Sequence, residues 1–400
     1  MSASTTRSRR WALATASAVL AVGLLAAILA PVPADGATPP QQQQGTLPID
    51  HIDFEPGHDI PSSVCGKCHQ DIYEVWRNSV HSRSFNDPVF QAGLAQAITA
   101  EGEGVAQTCL TCHSPGSMLM QPPVGVTEPV REGIGCRFCH AIRGVDLDEF
   151  PPFDLETQLV MMGRMNSVQS PVHEIQASEL LGSPLYCASC HEYTTPGGAN
   201  LLSTFSEFSS AGHPDYLTCQ DCHMPFVLGQ VVDPLVQQPD EFAFVDSHAI
   251  PGGRNLAQVR RALGLEIVSL RENSGNVELR VEVVNRGSGH AIPTGMPSKQ
   301  IVLEVSTRWD SFERSERFVF GRRVVDDTGQ RLRTVAEMMT RGVAIPSDTR
   351  LRPGQRRDFD YTLPAPVDTE TKLVVRLYYQ SNEPAAGGEV EEIYRIERDL

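Results

Sequence analysis

The ten cysteines of the chain follow one repeated motif, and this repetition restricts the fold more than any other feature of the sequence. They form five Cys-x-x-Cys-His motifs with no cysteine left over: Cys65, Cys68 and His69; Cys109, Cys112 and His113; Cys136, Cys139 and His140; Cys187, Cys190 and His191; Cys219, Cys222 and His223. Two intervening residues make about one turn of chain, so both thiols face the same way and can form thioethers with the two vinyl groups of one haem. The histidine that follows then supplies the proximal iron ligand, which predicts five covalently attached haems c.

Paired cysteines also occur in zinc clusters, in thioredoxin-like dithiols and in the disulfides of exported proteins. None of these uses requires a histidine directly after the second cysteine. Histidine is 12 of the 400 residues, so finding it in all five positions by chance has odds of roughly one in forty million. The pattern therefore favours haem attachment over the other three uses.

The first 37 residues have the pattern of an export signal. Three arginines precede an apolar stretch at 11–30, and small residues at 32 and 34 fit cleavage after Ala34. The apolar stretch is close to membrane-spanning length, so residues 1–37 are either a signal peptide or an N-terminal membrane anchor. Residues 38–50 are rich in Pro and Gln and are typical of a linker. We expect the remainder to lie in the periplasm or another extracytoplasmic compartment.

The net charge of −16 is unevenly distributed along the chain. Residues 251–400 hold 23 Lys+Arg and 22 Asp+Glu, which leaves 10 and 27 for residues 1–250, so the two parts carry +1 and −17. A strongly acidic haem-bearing part disfavours nucleic acid as a partner. It favours redox protein partners with a basic docking face, because complementary charge speeds encounter and fixes orientation; an acidic surface that serves only solubility is the alternative.

The sequence predicts a multidomain protein: a mainly α-helical and irregular multihaem cytochrome c domain over 51–253, followed by an all-β domain over 254–400. Five motifs in about 200 residues leave too little protein for an ordinary core, so porphyrins must supply much of the interior. One helix is predicted after the cap Asp87, with Phe90 on its apolar face and Gly102 beyond its end. Another is predicted from Ser63 to Trp76, carrying the first motif.

Beyond a short helix at 256–263, the apolar pattern has a period of two residues, which is typical of strands. Turn residues separate seven segments, and about seven short strands predict an immunoglobulin-like sandwich. The predicted strands are Leu265–Leu270, Val277–Val284, Ile301–Thr307, Phe318–Val325, Arg356–Leu363, Leu373–Tyr379 and Ile393–Glu397.

Seven histidines remain as candidates for the sixth coordination position of the irons: His51, His58, His81, His173, His213, His248 and His290. Low-potential electron carriers usually close both axial positions, so up to five more ligands are needed. His248 and His290 rank first because each begins the sequence His-Ala-Ile-Pro-x-Gly, whose proline and glycine can hold the backbone in a fixed turn. His81 and His173 follow, and His213 competes with His58 for the fifth position.

Several segments resemble the multihaem cytochromes c that include the tetrahaem electron acceptor of hydroxylamine oxidoreductase. The likeness lies in residues 76–81, 187–192 and 218–225, while residues 285–295 resemble a segment of such cytochromes that carry an added β domain. The resemblance implies closely stacked haems with two histidine ligands each, and a role in respiratory electron transfer outside the cytoplasm. Catalytic relatives tend to alter one attachment motif, whereas all five motifs here are intact.

Three functions fit these observations. An electron carrier between respiratory redox partners needs no acid or base, and so no catalytic side chain is assigned. The alternatives are a reductase or oxidase of a small nitrogen or sulfur species at a five-coordinate haem, and a subunit of a conducting cytochrome filament.

Overall fold

The computed structural model describes residues 59–119, 127–165, 169–236, 244–367, 369–381 and 390–400. The predicted leader, the linker, His51 and His58 lie outside these ranges, so the predictions about them stay predictions. The described residues all fall in one compact unit, Thr46–Leu400. Within the described ranges, no helix is both long and apolar enough to cross a membrane.

The helices are short and lie mostly in the part of the chain that carries the motifs. In chain order they are α1 Ser62–Cys65, α2 Gln70–Trp76, α3 Pro88–Glu101, α4 Val105–His113, α5 Glu128–Arg131, α6 Cys136–Cys139, α7 Pro184–His191, α8 Thr204–Ser210, α9 Cys219–His223, α10 Leu256–Ala262 and α11 Val335–Arg341. Short 3₁₀ turns cover His81–Arg83, Pro115–Leu119 and Glu179–Gly182. Each motif therefore lies on, or directly after, a helical turn, as the attachment geometry requires.

The helix predicted after Asp87 is confirmed as α3. The Asp87 carboxylate accepts from Val89 N (3.0 Å) and Phe90 N (3.1 Å), and Gly102 ends the helix at a φ of 86°. The helix predicted from Ser63 to Trp76 is wrong in its continuity, because α1 ends at Cys65 and α2 begins only at Gln70. His69 has a non-helical backbone (φ −101°, ψ 54°) at this break, so the chain does not continue as one helix through the motif.

The same part of the chain contains small sheets that the sequence did not predict. The strands β1 Ile142–Val145, β2 Phe153–Leu155, β3 Val160–Gly163, β4 Glu174–Ala177, β5 Glu192–Thr194, β6 Asn200–Ser203, β7 Phe226–Leu228 and β8 Phe244–Asp246 pair in sequence order, β1 with β2 through to β7 with β8. The β3–β4 pair is parallel and the other three are antiparallel. Strands of three or four residues are too short to show a period-two pattern, which is why the sequence did not reveal them.

The C-terminal part is β-rich, as predicted. Its strands are β9 Leu263–Asn273, β10 Asn276–Asn285, β11 Lys299–Trp309, β12 Phe312–Phe320, β13 Arg322–Val325, β14 Ala344–Asp348, β15 Arg356–Pro364, β16 Thr371–Ser381 and β17 Val390–Asp399. One sheet has the order β15-β10-β9 and another the order β12-β11-β16-β17, both antiparallel throughout. Buried side chains of both sheets, among them Val281, Leu303 and Leu377, belong to one apolar core.

One predicted strand, Phe318–Val325, is divided in the structure. Its first half is the end of β12, and its second half is β13, which leaves the four-stranded sheet at Gly321 and pairs with β14. A Cβ at Gly321 would lie 3.2 Å from Gln300 Cγ, so glycine allows the close approach at this bend.

Buried polar contacts join the β-rich part to the motif-bearing part. The Arg322 guanidinium on β13 donates to Asn200 O (2.9 Å), Gly295 O (2.8 Å), Ser203 Oγ (3.1 Å) and Leu201 O. Arg350 forms an ion pair with Glu207 at 2.5 Å, and both side chains are largely buried. The β-rich part is thus attached to the walls of the site described next.

Candidate haem centre

All ten cysteines line one cavity of about 3190 Å³, and none of them forms a disulfide. Ten of the twelve histidines line it too, and the other two, His51 and His58, lie outside the described residues. An ordinary small-molecule pocket has roughly 300–1,000 Å³, so this cavity is several times larger. Divided among the five motifs it provides about 640 Å³ each. The space and its chemistry fit several large, flat apolar groups that are covalently held at their edges.

Four of the five motif histidines face a second histidine across the cavity. The ring centroids are 6.3 Å apart for His69 and His173, 6.3 Å for His81 and His191, 6.5 Å for His140 and His248, and 6.3 Å for His223 and His290. Two imidazoles bound to opposite sides of one metal ion, with metal–nitrogen bonds of about 2.0–2.1 Å, have centroids roughly 6.3 Å apart. Each pair is therefore spaced to hold one iron between its rings.

Hydrogen bonds at the Nδ1 atoms leave the Nε2 atoms of these rings available to bind a metal ion. Among the motif histidines, Nδ1 lies near a backbone carbonyl oxygen in His69 (Val231 O, 2.5 Å), His140 (Met162 O, 2.7 Å) and His223 (Pro251 O, 2.6 Å). Among the facing histidines the same holds for His173 (Glu174 O, 3.2 Å), His248 (Asp246 O, 2.7 Å) and His290 (Ala291 O, 3.0 Å). A carbonyl can only accept, so Nδ1 carries the proton and the Nε2 lone pair is left for a metal.

Burial keeps the rings in the neutral form that binds metal. It lowers the pKa of His140 to about 4 and that of His191 to about 3, with neighbouring histidines adding to the effect. The pKa of His81 falls to about 4 for the same reasons. At neutral pH these imidazoles are therefore uncharged, and the lone pair is available.

The predicted fifth distal ligand, His213, does not share this arrangement. Its Nε2 atom, rather than Nδ1, lies 2.8 Å from the carbonyl oxygen of Gly289, and its ring lies 4.8 Å from that of Phe208. The Nε2 proton is donated to this carbonyl, so in this conformation the nitrogen has no lone pair for a metal. His213 lines the cavity, and its assignment as the fifth distal ligand stays a prediction.

The second motif has no histidine opposite it among the described residues. Its His113 ring instead stacks on Phe90 of α3, with centroids 4.0 Å apart and planes only 9° from parallel, while Nδ1 lies 3.2 Å from Ser84 O. The sequence placed Phe90 on the apolar face of α3 but gave no sign that this face packs on a haem ligand. The carbonyl partners of Nδ1 carry no sequence signal either, because every residue has a carbonyl.

Contacts between motifs show which of them are neighbours. The thiols of three pairs from different motifs lie close enough to interact: Cys65 with Cys136, Cys112 with Cys190, and Cys187 with Cys219. Tyr186 of α7, one residue before the fourth motif, donates a hydrogen bond to Cys139 O of the third motif at 2.9 Å. The first motif therefore adjoins the third, and the fourth adjoins the second, the third and the fifth.

Comparison with known proteins agrees with this geometry. Residues 64–141 match the family described as cytochrome c554 and c-prime. The crystal structure of a penta-heme cytochrome c552 from Thermochromatium tepidum is similar over 86% of this chain and 100% of its own, with a TM-score of 0.68 and 22% sequence identity. A β-glucosidase from Kluyveromyces marxianus matches with a TM-score of 0.16 and 12% identity over 34% of this chain and 14% of its own. No curated protein matches the chain.

The repeated attachment motifs, the shared cavity and the matched segment are together the features expected of a multihaem cytochrome c, in which haem is covalently bound. Its fold is that of the penta-heme cytochrome c552, with a β-rich C-terminal part beside the motif-bearing part.

Proposed function

We propose that the chain binds five haems c and carries electrons between respiratory redox partners outside the cytoplasm. The observation that carries this proposal is the set of four facing imidazole pairs with centroids 6.3–6.5 Å apart. An iron with both axial positions closed has no site for a substrate, so its chemistry is the exchange of single electrons between ferric and ferrous forms. The residues of the chain attach the haems, set the spacing between them and exclude water.

The order of the motifs supports a branched route for electrons. The fourth motif adjoins three others, so we assign it as the branch point, with the first motif reached through the third. The first, second and fifth motifs are the three ends of this route. A carrier with several ends can accept electrons at one and deliver them at another.

The β-rich part takes a direct role in this proposal. His290, which lies between β10 and β11, faces His223 of the fifth motif, so binding iron would fasten this part of the chain to the haem array. Two antiparallel sheets around one core support reading β9–β12 and β15–β17 as an immunoglobulin-like sandwich. In the constant-type order the fourth strand pairs with the fifth, whereas here β12 pairs with β11.

The acidic motif-bearing part supports a redox partner with a basic docking face. Stopped-flow mixing with a small basic redox protein tests this. We expect the rate of electron transfer to fall steeply as salt is added, because screening removes long-range attraction. A rate that does not depend on salt would refute an electrostatic docking face.

Haem content and spin state test the main proposal. The intact mass and a haem assay should give five haems per chain, and a polypeptide without added mass would end the proposal. Replacing His290 or His248 by alanine should convert one haem to high spin, seen by electron paramagnetic resonance, while the haem count stays at five. His213→Ala is the matched control and should leave the spectrum unchanged, since its Nε2 already donates to Gly289 O.

The second motif favours one alternative function. Because no described histidine faces His113, its iron is the candidate for binding a small nitrogen or sulfur species, as a reductase or oxidase would. A high-spin ferric signal from one haem in five, lost on adding cyanide or nitric oxide, would support this. If every signal is low-spin and neither cyanide nor nitric oxide changes it, this alternative function is excluded.

A further inference from the structure

Lys299, the first residue of β11, is a cation placed inside the haem cavity. The chain has only three lysines, Lys67, Lys299 and Lys372, and Lys299 alone lines the cavity. Lys299 is an exposed residue that lines this cavity. Its backbone is fixed on both sides, since Lys299 N donates to Met296 O at 3.0 Å and the residue pairs with Ser381 of β16.

Among the described residues, Asp87 is the carboxylate that acts electrostatically on this cation, and it already forms an ion pair with Arg254 at 2.5 Å. Arg254 acts on Lys299 as well, so these three groups amount to two cations and one anion. The other titratable neighbours are the His113 and His191 rings, which are neutral ligands in the proposal above.

Haem would bring negative charge to this cation, because each porphyrin carries two propionate carboxylates. Lys299 acts electrostatically on His113 and His191, the attachment histidines of the second and fourth motifs. These two motifs are themselves neighbours through Cys112 and Cys190. A flexible ammonium with three donors suits carboxylates that come from two directions.

We propose that Lys299 binds propionate carboxylates of the haems attached at the second and fourth motifs and thereby raises their reduction potentials. The inference rests on the proposed haem binding and adds the residue that tunes two of the five centres. A positive charge nearby stabilises the ferrous form, which has one positive charge fewer than the ferric form. The branch point and one end of the route thus become better electron acceptors than they would be without this lysine.

Replacing Lys299 by methionine removes the charge and keeps the length of the side chain. A unit charge about 10 Å away at an effective dielectric constant of about 20 changes an equilibrium constant by roughly tenfold. For a one-electron couple, tenfold corresponds to about 59 mV. A spectroelectrochemical titration of the full five-haem protein should therefore show one or two midpoints lowered by about this amount, with the others unmoved.

Two variants serve as controls. Lys299→Arg keeps the charge and should titrate like the wild type, whereas Lys372→Met removes an exposed charge paired with Glu397 on the β-rich part and should also leave every midpoint in place. Lys299→Gln replaces the methionine variant if the latter does not load five haems. A titration curve of Lys299→Met that superimposes on the wild type would overturn the proposal.

Electron paramagnetic resonance separates this role from iron ligation. If Lys299→Met produces a new high-spin ferric signal, Lys299 is an iron ligand, and the proposed propionate contact is wrong. An unchanged low-spin spectrum together with lowered midpoints supports the proposal. A wild-type chain that carries no haem would refute the proposed function before Lys299 is tested, so the two failures are distinct.

Discussion

Arg322→Met should strongly destabilise the protein, because it removes the buried contacts between β13 and the motif-bearing part. The side chain is 6% exposed, and its guanidinium donates to four acceptors: Asn200 O, Leu201 O, Ser203 Oγ and Gly295 O. Methionine has a similar length but donates no hydrogen bond. Three backbone carbonyls and a hydroxyl then lose a charged partner inside the protein.

The magnitude follows from two opposing terms. Hydrogen bonds to a charged group contribute about 1.5–3 kcal/mol each, so four of them amount to at least about 6 kcal/mol. Burial lowers the pKa of Arg322 to about 10, and relief from burying this charge returns about 3 kcal/mol. We therefore expect the free energy of unfolding to fall by about 3 kcal/mol, in the range known for breaking buried charged contacts.

Guanidinium-induced unfolding followed by far-ultraviolet circular dichroism measures this loss. Arg323→Met is the matched control, because Arg323 is the next residue on β13 and is exposed, so its replacement should change stability by less than about 0.5 kcal/mol. Equal midpoints for the two variants would show that the Arg322 contacts do not stabilise the fold.

Two further predictions concern a buried carboxyl group and a helix cap. Burial raises the pKa of Glu132 from 4.5 to about 8, so its contribution to stability is present below about pH 4.5 and lost as pH rises to about 8. For Glu132→Gln, the midpoint of unfolding should therefore vary less with pH over this window than it does for the wild type. Glu128→Gln, at an exposed position, should keep the wild-type dependence on pH. If the midpoints of all three proteins vary with pH in the same way, this prediction is wrong. Thr334→Ala removes the capping box that Thr334 forms with Glu337 at the start of α11, and should cost about 1 kcal/mol in thermal or chemical unfolding. Thr340→Ala, inside the same helix, should leave the free energy of unfolding unchanged. Equal losses of stability in the two variants would show that the capping box does not stabilise α11.

Local chemistry explains which features could be predicted from the sequence. The cap at Asp87 and the stop at Gly102 depend only on neighbouring residues, so the α3 boundaries were predicted correctly. Long alternating segments revealed β10 and β16 for the same reason. The β1–β8 pairs and the bend at Gly321 were missed, because they depend on contacts between segments rather than on a local pattern.

The candidate iron ligands also divide into those that the sequence could rank and those whose surroundings only the fold shows. Ranking His248, His290, His81 and His173 ahead of the rest agrees with the four rings that face motif histidines in the structure. For His213 the fold adds a contact that the sequence could not show, because its Nε2 lies 2.8 Å from Gly289 O. The ligation itself stays a prediction until the spin states are measured.

The sequence by itself determined where haem is attached, because two thiols and an imidazole that serve one haem must lie within a single turn of chain. Only the tertiary structure decided which second imidazole faces each of these, since the facing residue comes from far along the chain, as His81 does for His191. It also decided that Phe90 stacks on His113 and that Lys299 lines the cavity. An axial ligand and a balancing charge act through space, over distances that only the packing of remote segments sets.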